Sequence, residues 1–313
     1  MRVLCWPGMP AAESLAEASR RTGLDVGVEA VTSNELLEER MQASAFDLVF
    51  PSDYLVERLV ARGQLHLLSA PRDALDPLVP WARDAPHDPG CRFSLPFAFG
   101  TTGYLCDERV GASGSWDDLF LPPPGLEVGM LAEVREVLGA ALIAGGDSPN
   151  EVGSGALERA RALLLRQRPF VTRYDSDDFV GPVVRGEVAA HQAWSGPAAG
   201  AVRTHPGLRY VVPVEGAGRW ITTGAIPSSA PNADAARRLL IELAAPDLAA
   251  LTTATEGFAT PSNAARDLLP SELRDDAALF PPDDVLQRCT AFHDLGRNQV
   301  HMARIFDEVV AAG

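Results

Sequence analysis

The chain has 313 residues, of which 46% are hydrophobic and 22% charged, so it can bury a large core as one domain or as two of about 150 residues. A formal net charge of −15 and a pI of about 4.8 create a field that repels nucleic acid and anionic membranes and attracts cations. The chain contains no apolar stretch of about 18 residues, which excludes a membrane-spanning helix.

The opening, MRVLCWPGMP, has no basic segment followed by a long apolar one. We therefore expect either a cytoplasmic protein or a chain from which an export signal was removed, and in the second case a periplasmic or extracellular protein. Cysteine spacing does not match a zinc site, and Cys5 lies in a strand-like opening that argues against a lipid anchor. The cysteines are expected to be small buried residues: Cys5, Cys91, Cys106 and Cys289.

Strand and helix patterns alternate over the first third of the chain. They predict strands at 2–6, 24–31 and 46–50, and helices at 11–21, 35–42 and 54–62. A turn follows the carboxyl end of the first and third of these strands, as at Pro51-Ser52-Asp53. This order indicates an α/β fold with a largely parallel sheet, in which ligands bind beyond the carboxyl ends of the strands.

Beyond Pro96 the segment PFAFGTTGYLCD predicts a strand that crosses into a second lobe, and 219–226 predicts a strand that returns. Helices are predicted at 131–143, 156–165, 179–185 and 232–244, with two more short helices finishing the chain. The acidic run at 175–178 lacks the glycine and the last acid of a calcium loop. We interpret it as a turn between the lobes and a helix cap.

No catalytic motif is present: the chain lacks a P-loop, a GxGxxG after a strand, HExxH and the kinase motifs. No nucleophile with a neighbouring base is evident. The six histidines are scattered through predicted loops and helices without metal-ligand spacing, and we expect surface or structural roles for them. We therefore expect no enzyme activity, no metal and no cofactor.

Two features could serve cation binding. Glu133 and Glu136, three residues apart in the first turns of a predicted helix, would share a face and offer two carboxylates to one cation. They are equally explained as acids that favour a helix N-terminus. Trp194 and Trp220 lie at strands beside small residues, where an indole can wall a pocket and attract an ammonium, or can simply belong to the core.

Six segments carry a family resemblance in chain order. They are Leu4-Cys5-Trp6, Phe46-Asp47-Leu48-Val49 running into Pro51-Ser52-Asp53-Tyr54, Glu133-Val134-Arg135-Glu136-Val137, Arg185-Gly186-Glu187-Val188 leading to Trp194, Trp220 leading to Ala225-Ile226-Pro227, and Gly257-Phe258-Ala259-Thr260-Pro261. Together they resemble the periplasmic spermidine/putrescine-binding proteins of ABC importers. Each segment is weak alone, but the collinear set spans nearly the whole chain.

The resemblance implies a two-lobed type II periplasmic-binding-protein fold with a hinge and a ligand cleft between the lobes. Lobe 1 is expected at residues 1–100 and 222–268, and lobe 2 at 101–221 and 269–313. In that family the ligand's amines meet acidic side chains and its methylenes lie between aromatic rings. The candidate ligand-binding residues are Trp6, Ser52, Asp53, Tyr54, Glu133, Glu136, Ser176, Trp194, Trp220 and Thr222.

This chain departs from the family pattern at three places. Pro7-Gly8-Met9 replaces a polar, acidic and aromatic trio, Thr222 stands where the family has an amine-binding aspartate, and Phe292 falls at a late glutamine. An ammonium buried without a carboxylate costs several kcal/mol. The sequence therefore predicts a shorter or singly charged cation, unless Asp53 supplies the missing charge.

The predicted function is that of a monomeric solute-binding protein that closes around a polyamine-like or other small organic cation and delivers it to ABC permease membrane subunits. No nucleic acid partner is expected. Two alternatives use the same fold: a cytosolic enzyme, or a ligand sensor that differs only in what its closed state contacts.

Overall fold

The computed structural model describes all 313 residues, which form two compact units. Unit 1 comprises Met1–Phe99 and Trp220–Asp275, and unit 2 comprises Gly100–Arg219 and Asp276–Gly313. The chain passes from unit 1 to unit 2 inside one strand, Ser94–Asp107, and returns inside another, Gly218–Ala225. The predicted strands in these two places are confirmed.

The strands range from two to fourteen residues in length. In chain order they are β1 (Arg2–Cys5), β2 (Gly27–Ala30), β3 (Leu48–Val49), β4 (Ser94–Asp107), β5 (Val128–Met130), β6 (Val171–Tyr174), β7 (Ala190–Trp194), β8 (Leu208–Val211), β9 (Gly218–Ala225) and β10 (Thr290–Ala291).

The helices range from four to fourteen residues, and none is long and apolar enough to cross a membrane. They are α1 (Ala12–Thr22), α2 (Asn34–Ala43), α3 (Asp53–Ala61), α4 (Arg72–Leu75), α5 (Pro80–Arg83), α6 (Asp117–Phe120), α7 (Val134–Ala144), α8 (Ser154–Gln167), α9 (Gly181–Val184), α10 (Ser195–Thr204), α11 (Ala233–Leu243), α12 (Pro246–Glu256), α13 (Asn263–Asp267), α14 (Ser271–Arg274), α15 (Asp283–Leu286) and α16 (Gln299–Ala311). Short 3-10 helices lie at Glu108–Val110, Arg168–Phe170 and Gly296–Asn298.

Unit 1 is built on a sheet in which β1 pairs in parallel with β2 and β3, and β9 pairs antiparallel to β3. β1 is central and buried from its second residue onward, which explains its continuous apolar sequence. Helix α1 packs against α11 and α12, with Leu15 and Ala18 on its buried face. It ends at Gly23, whose φ of 69° is the left-handed conformation that glycine adopts without strain.

In unit 2, β5 pairs in parallel with β6 and β7, while β4 pairs antiparallel with β7 and β8. Helices α7, α8 and α16 pack together and bury an apolar cluster against the sheet. Trp116 is fully buried in this cluster, and its indole N–H donates to the Gly216 carbonyl at 2.8 Å, so its one polar atom is satisfied.

The sequence patterns were least accurate at the end of the chain. The two short helices predicted after 232–244 are wrong, because α12 to α16 are five helices, of which α12 and α16 have 11 and 13 residues. Helix α12 begins at Pro246, three residues after the preceding helix ends at Leu243, and proline is well suited to a first helical position. The predicted strand at 46–50 shortens to the two residues of β3.

The prediction of small buried cysteines is confirmed, because all four cysteines are free and buried.

The predicted placement of the histidines is partly wrong, because His191 lies in β7 rather than in a loop or helix, and it is fully buried. Its Nδ1 lies 2.7 Å from the Gln192 carbonyl oxygen, and its Nε2 has no partner. Burial lowers the pKa of His191 to about 4, so the folded protein keeps this imidazole neutral.

We expect His191 to make the protein acid-labile. The unfolded chain takes up a proton near pH 6.5 and the folded chain only near pH 4, so stability is lost as pH falls across this interval, by up to about 3 kcal/mol. Calorimetric melting between pH 7.5 and 4.5 should give a steeper loss of melting temperature for the native chain than for His191→Gln. Equal slopes for the two proteins would contradict this assignment.

Candidate functional site

The carboxylate of Glu136 and the indole of Trp194 come together in unit 2. Glu136 is the third residue of α7, and Trp194 ends β7. The Trp194 indole N–H donates to Glu136 Oε1 at 3.0 Å, and the Gln192 amide donates to the Glu136 carbonyl oxygen at 2.9 Å. Glu136 Oε2 is buried and makes no well-formed hydrogen bond with the protein. One oxygen of this carboxylate is therefore held by the indole, while the other is buried without a well-formed hydrogen bond.

Opposing effects act on the charge of Glu136. Burial raises the pKa of its carboxyl group, while the Trp194 indole, the Thr102 hydroxyl and the Arg135 charge act in the other direction. Burial is the larger effect, so the pKa of Glu136 is raised. A bound cation would stabilise the ionised form and lower this pKa, which makes the group suited to an ammonium ligand.

The ring of Trp194 is held by aromatic packing against Phe179. The ring of Phe179 meets the Trp194 ring edge to face, at 5.4 Å between centroids and 89° between planes. Phe179 also lies 6.3 Å from the imidazole of His191. An ideal Cβ at Gly129 would lie 1.9 Å from His191 Cδ2, so a side chain at residue 129 would displace this imidazole. The orientation of Trp194 therefore depends on a packed series of residues.

Glu133 and Ser176 lie at the start of α7. The prediction that places Glu133 inside the helix is wrong, because Glu133 is its N-cap, with φ −107° and ψ 118°, while its shared face with Glu136 stays a prediction. The hydroxyl of Ser176 accepts the Ala132 N–H at 2.9 Å, so it holds the segment beside Glu133.

The acidic run at 175–178 lies within unit 2, so its interpretation as a turn between lobes is wrong. Asp175 accepts the N–H groups of Asp177 and Asp178. Asp178 in turn accepts the N–H of Gly181, the first residue of α9, although the N-cap of this helix is Val180.

Phe292, at the position of the family's late glutamine, is a buried residue of unit 2. The Arg135 guanidinium lies 5.2 Å from its ring centroid and donates to Asn150 Oδ1 at 2.8 Å. Ideal Cβ atoms at Gly139 and Gly218 would each approach the ring to 2.8 Å. The ring therefore needs glycine at both of these positions.

Unit 1 gathers a second group of candidate residues around the ends of β1, β3 and β9. The Trp6 indole donates to the Phe50 carbonyl at 2.8 Å, and Tyr54 donates through its hydroxyl to Glu35 at 3.3 Å. Ser52 pairs through its backbone with Thr222. These contacts order the loop after β3 against the middle of β9.

Asp53 is almost completely buried, at 1% exposure, and its Oδ1 accepts the Tyr54 N–H at 2.9 Å. This geometry gives the carboxylate a structural task at the first turn of α3. The compensating ligand charge suggested for Asp53 therefore stays a prediction.

Trp220 is buried in unit 1, with 9% of its surface exposed. Its indole N–H has no partner in the protein. Its ring packs edge to face on Phe258, with 6.4 Å between centroids. Burying an N–H without a hydrogen bond costs about 1 to 3 kcal/mol. The Trp220 indole is therefore a donor that a ligand acceptor could satisfy.

No family model matches the chain. The spermidine/putrescine-binding periplasmic protein 1 of Haemophilus influenzae is 30% identical over 310 residues, covering 95% of this chain and 85% of the relative. The chain belongs to the family of periplasmic spermidine/putrescine-binding proteins. Its counterpart in Escherichia coli K12 is 29% identical over 295 residues, covering 90% of this chain and 83% of the relative.

A solved structure of a spermidine/putrescine ABC transporter protein from Listeria monocytogenes superimposes with a TM-score of 0.91 at 25% identity. The match covers 99% of this chain and 98% of that one. The predicted type II periplasmic-binding-protein fold is confirmed, as is the family resemblance. The relatives are named as periplasmic binding proteins, not as enzymes.

Within this family assignment, sequence reasoning missed three candidate site residues. Thr102 lies beside the Glu136 carboxylate, and Phe258 packs on Trp220. The third is Glu256, which contacts Gly8. Phe258 belonged to a segment that carried the resemblance, so its aromatic ring was a usable signal. Thr102 and Glu256 reach their neighbours only through the fold.

Proposed function

We propose that this chain is the solute-binding protein of an ABC importer, that it binds a small organic ammonium ligand reversibly, and that it delivers the ligand to permease subunits. The single observation that carries the proposal is the Glu136 carboxylate, fixed on one oxygen by Trp194 and without a well-formed hydrogen bond on the other. An ammonium group has three N–H donors, and its positive charge would neutralise the negative charge of this carboxylate.

Aromatic residues supply the second part of the recognition. Trp194 in unit 2 and Trp220 in unit 1 present indole rings, each held by a neighbouring phenylalanine. A cation over an indole face gains about 0.5 to 2 kcal/mol. We propose that the natural location is periplasmic or extracellular, as the names of the relatives support.

The test is a thermal-shift panel of polyamines, monoamines, amino acids and quaternary amines. A ligand that binds only the folded chain stabilises it by about 2.7 kcal/mol at a hundredfold excess over Kd. We expect at least one amine to raise the melting temperature without being consumed. If no amine in the panel stabilises the protein, the proposal is wrong; turnover of an amine would instead support an enzyme.

Binding should weaken at low pH. The raised pKa of Glu136 means that this carboxyl group becomes protonated at a higher pH than an ordinary glutamate, whose pKa is about 4.3. Since an ammonium binds the ionised form, affinity is retained above the pKa and falls as pH is lowered through it, with proton release on binding near the pKa. Isothermal titration in two buffers of different ionisation enthalpy measures this release, and a pH-independent Kd would contradict it.

A further inference from the structure

Thr102 in β4 carries a buried hydroxyl that makes no well-formed hydrogen bond within the protein. Thr102 pairs directly with Trp194 across the antiparallel strands β4 and β7, so the two side chains lie on the same face of the sheet. The Trp194 indole donates to Glu136 Oε1, and the Thr102 hydroxyl also acts on the Glu136 carboxyl group. Strand pairing therefore places two donors, an indole and a hydroxyl, beside one carboxylate.

The second oxygen of Glu136 lies against a residue that has no side chain. An ideal Cβ at Gly218 in β9 would lie 3.5 Å from Glu136 Oε2 and 2.8 Å from the Phe292 ring. Neither the glycine nor the ring offers a side-chain donor to this oxygen. The Thr102 hydroxyl and Glu136 Oε2 are therefore a buried donor and a buried acceptor in one place, each without a well-formed hydrogen bond.

Tyr210 in β8 fixes the backbone on both sides of Thr102. Its hydroxyl donates to the Thr101 carbonyl at 2.8 Å and accepts the Gly103 N–H at 2.9 Å. The Ser195 hydroxyl accepts the Thr101 N–H at 3.2 Å. Because these bonds hold the residues before and after Thr102, its hydroxyl approaches the carboxylate from a fixed place.

We propose that Thr102 is a positioning residue for the ligand-binding carboxylate: its hydroxyl donates to Glu136 Oε2 and holds that oxygen in the orientation that accepts an ammonium, while the Tyr210 hydroxyl fixes the strand that carries Thr102. A carboxylate oxygen has two lone pairs, so Oε2 can accept the hydroxyl and one ammonium N–H together. This inference rests on the proposed function, and the residues that carry it all belong to unit 2.

The Thr102 hydroxyl should also favour the ionised form of Glu136. A donor to a carboxylate stabilises its charge and lowers its pKa, as the Trp194 indole does here. Two other ionisable groups act at this place: the charge of Arg135 also lowers the pKa of Glu136, and Tyr210 is uncharged because burial raises its pKa above the usual range. Removing the Thr102 hydroxyl therefore raises the pKa of Glu136, and amine binding should be lost at a higher pH.

The experiment removes the hydroxyl and little else. Calorimetric titrations with putrescine between pH 8 and pH 5 compare the native chain with Thr102→Val and Thr102→Ser. We expect Thr102→Val to weaken binding at least about fivefold at pH 7, as the loss of a hydrogen bond to a charged group does, and to raise the pH at which half of the affinity is lost by at least about 0.5 unit. Thr102→Ser keeps the hydroxyl and should bind within about twofold of the native chain.

Thr253→Val is the matched control. Thr253 in α12 of unit 1 is also a buried threonine whose hydroxyl has no hydrogen-bond partner. Its replacement should change neither the affinity nor the pH dependence. A Thr253→Val protein that loses affinity as Thr102→Val does would show that the loss comes from altered packing, and would reject the role of Thr102.

Titration of Glu136 itself tests the role of Thr102 without a ligand. Carbon-13 NMR follows the Glu136 carboxyl group in the unliganded protein, and its signal is identified by its loss in Glu136→Gln. The group should titrate at a higher pH in Thr102→Val than in the native chain, and Tyr210→Phe should cause a smaller change in the same direction. Thr102→Ala is measured in the same way if the valine variant does not fold.

The outcomes separate the two proposals. Equal titration of Glu136 in the native chain and Thr102→Val, or a Thr102→Ser protein that binds as weakly as Thr102→Val, rejects the role of Thr102 and leaves the proposed function standing. Native affinity and native titration in Tyr210→Phe reject the role of Tyr210. A native chain that binds neither putrescine nor any amine of the panel rejects the proposed function, and with it the role of Thr102 in binding.

Discussion

Glu136→Gln should weaken amine binding by about 100-fold or more, and it should leave the unliganded protein at least as stable as the native chain. Removing the carboxylate leaves a ligand ammonium without its counter-charge in a buried place, which costs about 3 kcal/mol or more. In the unliganded protein the same change removes a desolvated charge, because burial raises the pKa of this carboxyl group. Titration calorimetry and thermal melting of the same samples measure both effects.

Opposite signs for binding and stability distinguish a binding residue from a structural one. The matched control is Glu127→Gln, which removes an exposed acid of unit 2 and should change affinity by less than about twofold. A loss of stability that parallels the loss of binding would show that Glu136 acts through folding. Unchanged affinity would remove the observation on which the proposed function depends.

Local patterns predicted much of unit 1. The sequence predicts the apolar run of β1, the amphipathic spacing of α1 and its final Gly23, because each of these signals lies within a few residues of chain. Helix α11 was predicted to within one residue at each end for the same reason. Where a pattern is local, periodicity and end signals suffice to locate an element.

The start of α7 shows where such reading fails. Leu131 continues the helical periodicity, yet it is fully buried and lies just after β5, so Glu133 remains extended and the helix begins at Val134. The spacing of apolar residues cannot distinguish a buried segment that follows a strand from the first turn of an apolar helix. The sequence pattern therefore placed Glu133 inside the helix, whereas the backbone makes it the N-cap.

Long-range contacts were out of reach of the sequence. Glu256 meets Gly8 across most of the chain, and neither residue alone signals the other. His191 read as one of several scattered histidines, because its burial comes from pairing with β5 and from the space left by Gly129. By contrast, Trp194 and Trp220 were identified from sequence because bulky aromatic residues in strands beside small residues are a local signal.

Gly129→Ala should be among the most damaging single-methyl changes in the protein. The new Cβ would lie 1.9 Å from His191 Cδ2 and 2.4 Å from Nε2, and residue 129 faces His191 directly in the β5 and β7 pair. Overpacking of a buried site usually costs about 1 to 3 kcal/mol, and an overlap this deep on a rigid ring should reach about 3 kcal/mol or more. Denaturant unfolding measures the loss, and Gly155→Ala in α8, where the nearest atom is 3.7 Å away, should be neutral or slightly stabilising.

The double variant Gly129→Ala/His191→Ala identifies the cause. If the imidazole is the obstacle, removing it should make the double variant more stable than Gly129→Ala alone, although His191→Ala by itself leaves a cavity and is destabilising. Phe179 contacts both His191 and Trp194, so the displaced imidazole of the single variant should also lower amine affinity, and the double variant should recover part of it. Additive losses of stability would mean that the backbone of β5 moves instead, and that Trp194 is positioned independently of His191.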